Sequence, residues 1–221
     1  MISNVTNCRI IVFAKAPIAG AVKTRLLSSL DALVVTALHE KLVLHTLNIA
    51  MDSKVGPVEL WCTPSVDHPF FIQCANKFRI DLHPQAEGNL GRRMAHALKE
   101  TLKKSDMALL MGTDCPSLTP EDLKEATMIL CQGAQAVISP AEDGGYVLIG
   151  LRQYEFTLFE GISWGTGTVL EETRERLSRL RWNWQELTQR WDVDRPEDVE
   201  RLRRKGFMRG LERFEKRRII L

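Results

Sequence analysis

The feature that most constrains the fold is an alternation of short apolar runs with longer segments of helical period. Continuous β-branched and aliphatic runs are typical of strands whose two faces are both covered. Six strands are predicted, at Arg9–Ala14, Pro57–Cys62, Phe78–Leu82, Met107–Gly112, Ala136–Ser139 and Tyr146–Gly150. Five helices are predicted, at Leu30–Met51, Leu90–Leu102, Thr119–Cys131, Thr168–Leu180 and Arg195–Lys205. This order predicts an α/β fold in which helices flank one sheet.

Length and charge indicate one globular domain with a basic end. The chain has 221 residues and a net charge of +2, and this charge gives no reason to expect a nucleic-acid partner. Residues 201–221 contain nine Lys or Arg against two Glu, so the rest of the chain is mildly acidic. We therefore predict one domain over residues 1–202 and a basic C-terminal extension over residues 203–221. A solvated helical extension is expected there, with contact to an anionic membrane as the alternative.

Cysteine usage and hydropathy favour a cytoplasmic protein. The five cysteines are odd in number and scattered without a CxxC motif, which fits neither a disulfide framework nor a zinc site. The longest apolar stretch near the start, Ile10–Ala14, is far too short to span a membrane. We expect a monomer or homodimer without stable membrane insertion.

The first loop that could bind a ligand spans residues 15–26. It directly follows the first strand and has the sequence KAPIAGAVKTRL. Ligands of doubly wound sheets bind at the carboxyl ends of strands. Gly20 lets the backbone turn closely, and the cations Lys23 and Arg25 are spaced to converge on one anion. A di- or triphosphate site and a solvated basic loop both remain open. The spacing is not that of a Walker loop.

Asp114 lies just beyond the strand Met107–Gly112, within GTDCPSL. A carboxylate buried at a strand end is costly unless it is paired, which favours a ligand for Mg²⁺ or a similar cation. Capping of a turn is the alternative.

Two further acidic loops are candidates. Asp143-Gly144-Gly145 either forms a plain hairpin or allows close approach of a ligand, with Asp143 available to a sugar hydroxyl or a metal. Asp192 and Asp194 alternate, so their carboxylates would share one face and invite a cation. Acidity at the start of the next helix is the alternative for that pair.

Weaker signals come from two glycine-containing segments. Gly91 and Arg93 lie at the start of a predicted helix, where they could touch phosphate or substrate. Trp164 precedes a glycine-rich turn, where it could stack on a base or a sugar or simply pack in the core.

The motifs together resemble one bacterial family. FAKAPxxGxVKTRL, LGxRM, GTDCPxL, PAxDGGYxLIG, WxT and DVDxPED resemble GT-A-like transferases, provisionally named nucleotide-diphospho-sugar transferases, some of them linked to arsenosugar biosynthesis. The resemblance runs from Arg9 to about Leu202. It implies a single-domain GT-A fold, a Rossmann-like three-layer sandwich with a mostly parallel sheet. The same superfamily holds nucleotidyltransferases that activate sugars, molybdopterin and phospholactate.

The resemblance also implies roles for particular residues. Lys23 and Arg25 resemble phosphate-binding residues, Asp114 resembles the metal-binding Asp of the central strand, and Asp192 or Asp194 resembles a second metal ligand. We predict a nucleotide and phosphate site formed by Ala14, Lys15, Gly20, Lys23, Arg25, Gly91 and Arg93. Mg²⁺ or Mn²⁺ is predicted at Asp114, Asp192 and Asp194, and substrate is predicted at Asp143, Gly144, Gly145, Tyr146 and Trp164. Asp114 and Asp143 are the predicted catalytic residues.

Two positions depart from the family pattern. Arg195 stands where a Thr usually precedes the proline, which removes a helix N-cap worth about 1 kcal/mol. Asn89 stands where the family often has Asp.

The predicted function is transfer of a sugar from a nucleotide-diphospho-sugar to a small acceptor, with a divalent metal. One alternative is nucleotidyl transfer, in which a nucleoside triphosphate and a phosphorylated small molecule release pyrophosphate. A non-catalytic nucleotide-binding protein is the second alternative.

Overall fold

The computed structural model describes residues 7–211, and it confirms an α/β fold built on one sheet. The seven strands are β1 (Cys8–Lys15), β2 (Val58–Thr63), β3 (Asp81–Pro84), β4 (Met107–Met111), β5 (Ala136–Pro140), β6 (Tyr146–Leu151) and β7 (Trp184–Glu186). The six α-helices are α1 (Ala32–Ser53), α2 (Pro69–Phe78), α3 (Leu90–Leu102), α4 (Pro120–Cys131), α5 (Val169–Arg179) and α6 (Pro196–Arg204). Short 3₁₀ helices occupy Thr24–Ser28 and Phe156–Leu158.

The sheet is mostly parallel, as predicted. Its strand order is β3-β2-β1-β4-β6-β5-β7, and within the described residues β6 is the strand that runs antiparallel to its neighbours β4 and β5. The reversal arises because β5 and β6 form a hairpin. The chain leaves β1 towards β2 and later returns to β4 on the other side of β1, which makes the β1–β4 gap the topological switch point.

Side-chain alternation along the strands produces a three-layer sandwich. Ile10 and Val12 of β1 belong to the core that includes side chains of α1, α2 and α4. Ile11 and Phe13 belong to the opposite core, with side chains of α3 and α5. Both faces of the sheet are therefore covered, which explains the apolar runs in the sequence.

The main differences between the predicted elements and the structure are one misplaced strand start, one additional helix and one additional strand. The strand expected at Phe78–Leu82 is wrong in its first half, because Phe78 ends α2 and the strand starts at Asp81. Helix α2 and strand β7 were not predicted.

Helix α6 begins without a cap from the Arg195 side chain, and instead the Asp198 carboxylate accepts hydrogen bonds from the backbone N–H groups of Asp194 and Arg195 at 3.0 and 2.7 Å.

The described part of the basic extension is not wholly solvated. Helix α6 ends at Arg204, and Met208 and Leu211 are buried with Val34 and Leu38 of α1. The expectation of a solvated helix is therefore wrong for residues 205–211, while the rest of the extension lies outside the described residues. The domain boundary at residue 202 stays a prediction. Among residues 7–211, no helix combines the length and apolarity needed to cross a membrane.

Candidate active site

The loops at the switch point enclose a cavity of about 690 Å³. Twelve of the fifteen residues predicted for the site line this cavity: Ala14, Lys15, Lys23, Arg25, Arg93, Asp114, Asp143, Gly145, Tyr146, Trp164, Asp192 and Asp194. Parallel strands bring their carboxyl ends to one edge, which is why loops distant in sequence meet here. Gly20, Gly91 and Gly144 lie outside its wall.

Lys23 joins three loops beneath the cavity. Its backbone is left-handed, with φ of 43°, and it precedes the 3₁₀ helix Thr24–Ser28. Its side chain is only 4% exposed, and its ammonium donates to Asp114 Oδ1 and to the Val193 carbonyl oxygen, both at 2.7 Å. Lys23 is therefore engaged within the protein, whereas the sequence predicted a cation free to meet phosphate.

Arg25 and Asp194 form a second ion pair at the cavity rim. Both side chains are substantially exposed, at 62% and 39%. A pair this exposed is held weakly and is open to exchange with a charged ligand.

Asp114 reaches the cavity from the end of β4. Its side chain is 54% exposed, and its backbone carbonyl accepts the Val193 N–H at 2.8 Å. Desolvation raises the pKa of this carboxyl, but the charge and hydrogen bond of Lys23 outweigh it and hold the pKa below its usual value. No backbone amide of residues 7–211 donates to the carboxylate. The turn-capping alternative for Asp114 is therefore wrong.

Asp143 lies in the β5–β6 hairpin, so the hairpin interpretation of this motif is correct. Its Oδ1 accepts the Gly145 N–H at 2.8 Å, while the side chain remains at the cavity. A Cβ at Gly144 would lie 2.1 Å from the Gly167 carbonyl oxygen, so this glycine permits close packing of the protein's own loop. The structure thus gives Gly144 a packing role where the sequence predicted a ligand contact.

Asp192 carries the clearest electrostatic signal of the site. Burial raises its pKa, and the neighbouring charges of Asp143, Asp114 and Asp194 raise it further, to about 6. Neither Asp143 nor Asp192 forms an ion pair with any residue in the described part of the chain. Within the described residues, two of the four carboxylates of the site therefore lack an ion-pair partner.

An aromatic wall, formed by Tyr146 and Trp164, closes the other side of the cavity. Their rings are edge-to-face, with centroids 6.3 Å apart. Tyr146 Oη and Trp164 Nε1 are both buried, so these side chains expose carbon rather than polar atoms to the cavity. A Cβ at Gly91 would lie 2.4 Å from Trp164 Nε1, so Gly91 makes room for this wall, and its predicted contact with phosphate stays a prediction.

Among the cavity residues that were not singled out from the sequence, His39 and Gln85 hold neighbouring backbone in place. His39 is 4% exposed, and its Nε2 hydrogen-bonds the Lys15 carbonyl oxygen at 2.8 Å. Burial lowers its pKa, so the imidazole is neutral and steadies the first loop. Gln85 donates from Nε2 to the carbonyl oxygens of Ala14 and Trp61 at 3.3 and 2.9 Å. No spacing marks either residue, because each acts through a backbone group of another element.

The donor set suits a hard divalent cation. Asp114 and Asp192 offer carboxylate oxygens, and Mg²⁺ typically takes one or two carboxylates and completes its shell with phosphate oxygens and water. Within residues 7–211, no three His, Cys, Asp or Glu side chains converge as a ready-made metal cage. The crowding of carboxylates around Asp192 nevertheless fits a cation that arrives with a phosphate ligand.

Fold and cavity together define an α/β protein with a charged site at its switch point. A family model described as "Uncharacterized protein conserved in bacteria (DUF2064)" matches residues 46–166, more than half of the chain. The chain belongs to this family. A comparison with curated proteins finds no match.

Solved structures extend the comparison. A protein from Desulfovibrio desulfuricans G20, provisionally named a nucleotide-diphospho-sugar transferase, is 30% identical with a TM-score of 0.78, covering 86% of this chain and 83% of that one. A nucleotidyl transferase from Methanothermobacter thermautotrophicus is 12% identical with a TM-score of 0.60, covering 90% and 97%.

A third structure, glucosyl-3-phosphoglycerate synthase from Mycobacterium tuberculosis, contains Mn²⁺, UDP and glucosyl-3-phosphoglycerate. It is 11% identical with a TM-score of 0.55, covering 88% of this chain and 75% of that one, a likeness in fold. The predicted family resemblance, GT-A-type fold and transferase class are confirmed.

Proposed function

We propose that this protein is a divalent-metal-dependent transferase that binds a nucleotide-diphospho-sugar and passes the sugar to a small hydroxyl-bearing acceptor. The observation that carries the proposal is the composition of the 690 Å³ cavity. Four cations and four carboxylates surround one strand end, and an aromatic wall stands opposite: Lys15, Lys23, Arg25 and Arg93; Asp114, Asp143, Asp192 and Asp194; Tyr146 and Trp164.

The cations are suited to a diphosphate. Arg93 donates from Nε to the Gly88 carbonyl oxygen at 2.9 Å, and its two Nη groups have no partner among the described residues. The Lys15 ammonium donates one hydrogen bond to the Ala21 carbonyl oxygen at 2.7 Å and has two further N–H groups available. Both side chains therefore retain hydrogen-bond donors for phosphate oxygens.

The carboxylates would hold a divalent ion beside that diphosphate. Asp114 and Asp192 are the residues best placed to bind Mg²⁺ or Mn²⁺, which would neutralise charge on the departing nucleoside diphosphate. The likeness in fold to a synthase solved with Mn²⁺ and UDP supports this choice of ligands.

The remaining residues would orient the sugar and the acceptor. The carbon surface of Trp164 and Tyr146 suits the apolar face of a sugar ring. The Asp143 carboxylate has one oxygen bonded to the Gly145 N–H, which leaves the other free to accept a hydrogen bond from the attacking hydroxyl group. Asp143 would hold that hydroxyl group in line and receive its proton as the new bond forms.

Nucleotidyl transfer is the second candidate, and one observation favours it. The loop at residues 191–195 supplies a further pair of carboxylates, and Asp192 is crowded by Asp114 and Asp143 strongly enough to raise its pKa. These additional carboxylates would suit a second divalent ion, which would bind together with a triphosphate and offset their charge. In that reaction the phosphate of an acceptor attacks the α-phosphorus, and pyrophosphate leaves.

The two reactions are distinguished by their products. The purified chain is incubated with Mn²⁺ and either a panel of nucleotide sugars or nucleoside triphosphates with sugar phosphates. Release of a nucleoside diphosphate, dependent on Mn²⁺ and lost in Asp114→Asn, supports glycosyl transfer. Release of pyrophosphate supports nucleotidyl transfer, and neither product with any substrate would contradict both and favour a non-catalytic binding protein.

We further propose action in the cytoplasm on small-molecule partners without nucleic acid, as a monomer or homodimer. The five free cysteines, four of them buried, are compatible with a reducing compartment.

A further inference from the structure

Lys23 and Asp114 form the most enclosed ion pair of the cavity. The ammonium lies 2.7 Å from Asp114 Oδ1, and the lysine side chain is 4% exposed while the aspartate side chain is 54% exposed. The carboxylate therefore faces the cavity with its counter-ion already supplied by the protein from below. Any cation that binds Asp114 from the cavity meets a positive charge on the far side of the same carboxylate.

We propose that Lys23 is an internal competitor of the metal at Asp114, so that the site takes up a divalent cation tightly only together with a phosphate-bearing ligand. This inference rests on the proposed function, and it assigns Lys23 a regulatory position in the same site. Free metal is held weakly while Lys23 stays on Asp114. A diphosphate gives the ammonium a second anion and so releases the carboxylate.

Electrostatics carry the first step. Two cations that share one carboxylate repel each other at a separation of a few ångströms, and in a partly desolvated site this repulsion is several times larger than in water. Lys23 already occupies one side of this carboxylate, with its ammonium 2.7 Å from Oδ1. The metal would have to overcome that existing stabilisation.

The segment that precedes Lys23 lies partly at the surface. Gly20 has φ of +76°, and a Cβ placed there would meet no atom within 4 Å. The neighbouring Ile18 is 42% exposed. Lys23 itself has φ of 43°, a left-handed conformation that is uncommon for a residue with a side chain, so the observed arrangement is one that the Asp114 and Val193 contacts hold in place.

Coupling between the two ligands follows from this competition. A phosphate that draws Lys23 away from Asp114 raises the affinity for metal, and by linkage the metal raises the affinity for the phosphate ligand by the same factor. The site would then bind free divalent ions weakly and would bind them tightly only when the nucleotide is present. Asp194 and Arg25 form a second ion pair, but both of its side chains are exposed and water screens it, so the more enclosed Lys23–Asp114 pair dominates.

The test measures Mn²⁺ binding without any nucleotide, by electron paramagnetic resonance of the free ion. The wild type is compared with Lys23→Met, which keeps the length of the side chain, and with Lys23→Gln, which keeps a donor for the Val193 carbonyl. The matched control is Lys15→Met, because Lys15 lines the same cavity but its hydrogen bond goes to the Ala21 carbonyl. Circular dichroism and thermal unfolding confirm that each variant is folded.

Removal of the competitor is expected to tighten binding of Mn²⁺ at least about tenfold in both Lys23 variants, and less than about threefold in Lys15→Met. The gain should vanish when Asp114→Asn is added to Lys23→Met. Equal affinities in the wild type and both Lys23 variants, or an equal gain from Lys15→Met, would overturn the proposal. An absence of Mn²⁺ binding in every variant would overturn it as well.

Failure of this inference is separable from failure of the proposed function. Product formation from nucleotide sugars or triphosphates tests the reaction and does not depend on whether Lys23 competes with metal. An active enzyme whose Mn²⁺ affinity is indifferent to Lys23 refutes only the competition. An inactive protein whose Lys23 variants bind Mn²⁺ more tightly refutes only the reaction.

Discussion

Replacement of Gly91 by alanine should displace Trp164 from the cavity wall. The added Cβ would lie 2.4 Å from Trp164 Nε1 and 2.8 Å from the Phe159 carbonyl oxygen, closer than carbon packs against either atom. Such overpacking costs about 1–3 kcal/mol. Alanine within a helix stabilises the folded state by about 0.5–1 kcal/mol relative to glycine, which offsets part of that cost. We therefore expect the free energy of unfolding to fall by up to about 2.5 kcal/mol, with a central value of about 1 kcal/mol.

Thermal unfolding followed by circular dichroism measures this loss, with tryptophan emission as a report on Trp164. For a chain of this size the central loss of about 1 kcal/mol corresponds to a decrease in Tm of about 2–4 °C. Gly112→Ala is the matched control, because a Cβ there meets no atom within 4 Å and its φ is ordinary. That control should not lower Tm. A Gly91→Ala protein with the Tm and emission spectrum of the wild type would refute the packing role of Gly91.

Three further outcomes are expected. Arg190→Met should lower the free energy of unfolding, measured in urea, by about 3 kcal/mol. The substitution removes the charged partner of Asp122, whose side chain is only 5% exposed. A loss below about 1 kcal/mol would contradict this prediction. Arg25→Ala should change the free energy of unfolding by less than about 1 kcal/mol, since its ion pair is exposed, yet weaken nucleotide binding in calorimetry severalfold; unchanged affinity would count against a phosphate contact. Asp192 has a pKa of about 6 in the folded protein against 3.8 as the ordinary value, so the folded state binds this proton more tightly and the wild type should gain stability over Asp192→Asn as pH falls from about 7 to 4. A Tm difference independent of pH would refute that assignment.

The main elements could be predicted because buried strands leave continuous apolar runs. Helix α3 has the predicted bounds, Leu90–Leu102, and β4 is the predicted strand without its final glycine. Strand β7 spans three residues at the sheet edge with partly exposed side chains, so no apolar run marks it. Helix α2 places Phe70, Phe71 and Cys74 in the core over ten residues, too few for the period to stand out.

The position of the site could also be predicted, because strand ends of a doubly wound sheet converge by topology. Contacts within the site could not. The Lys23–Asp114 pair joins residues 91 positions apart, and Gly91 meets Trp164 across 73 positions. Sequence motifs identify chemically capable residues, but tertiary packing decides whether a lysine faces a ligand or a neighbouring carboxylate, and whether a glycine makes room for a phosphate or for an indole ring.

The direct test of the central claim is calorimetric titration of nucleotide sugars and nucleoside diphosphates into the wild type and Asp114→Asn, with Mn²⁺ and with chelator. The account predicts binding to the wild type that requires Mn²⁺, and loss of that dependence in Asp114→Asn without a decrease in Tm. Binding of equal affinity in both proteins, indifferent to chelator, would contradict a metal and phosphate site at Asp114.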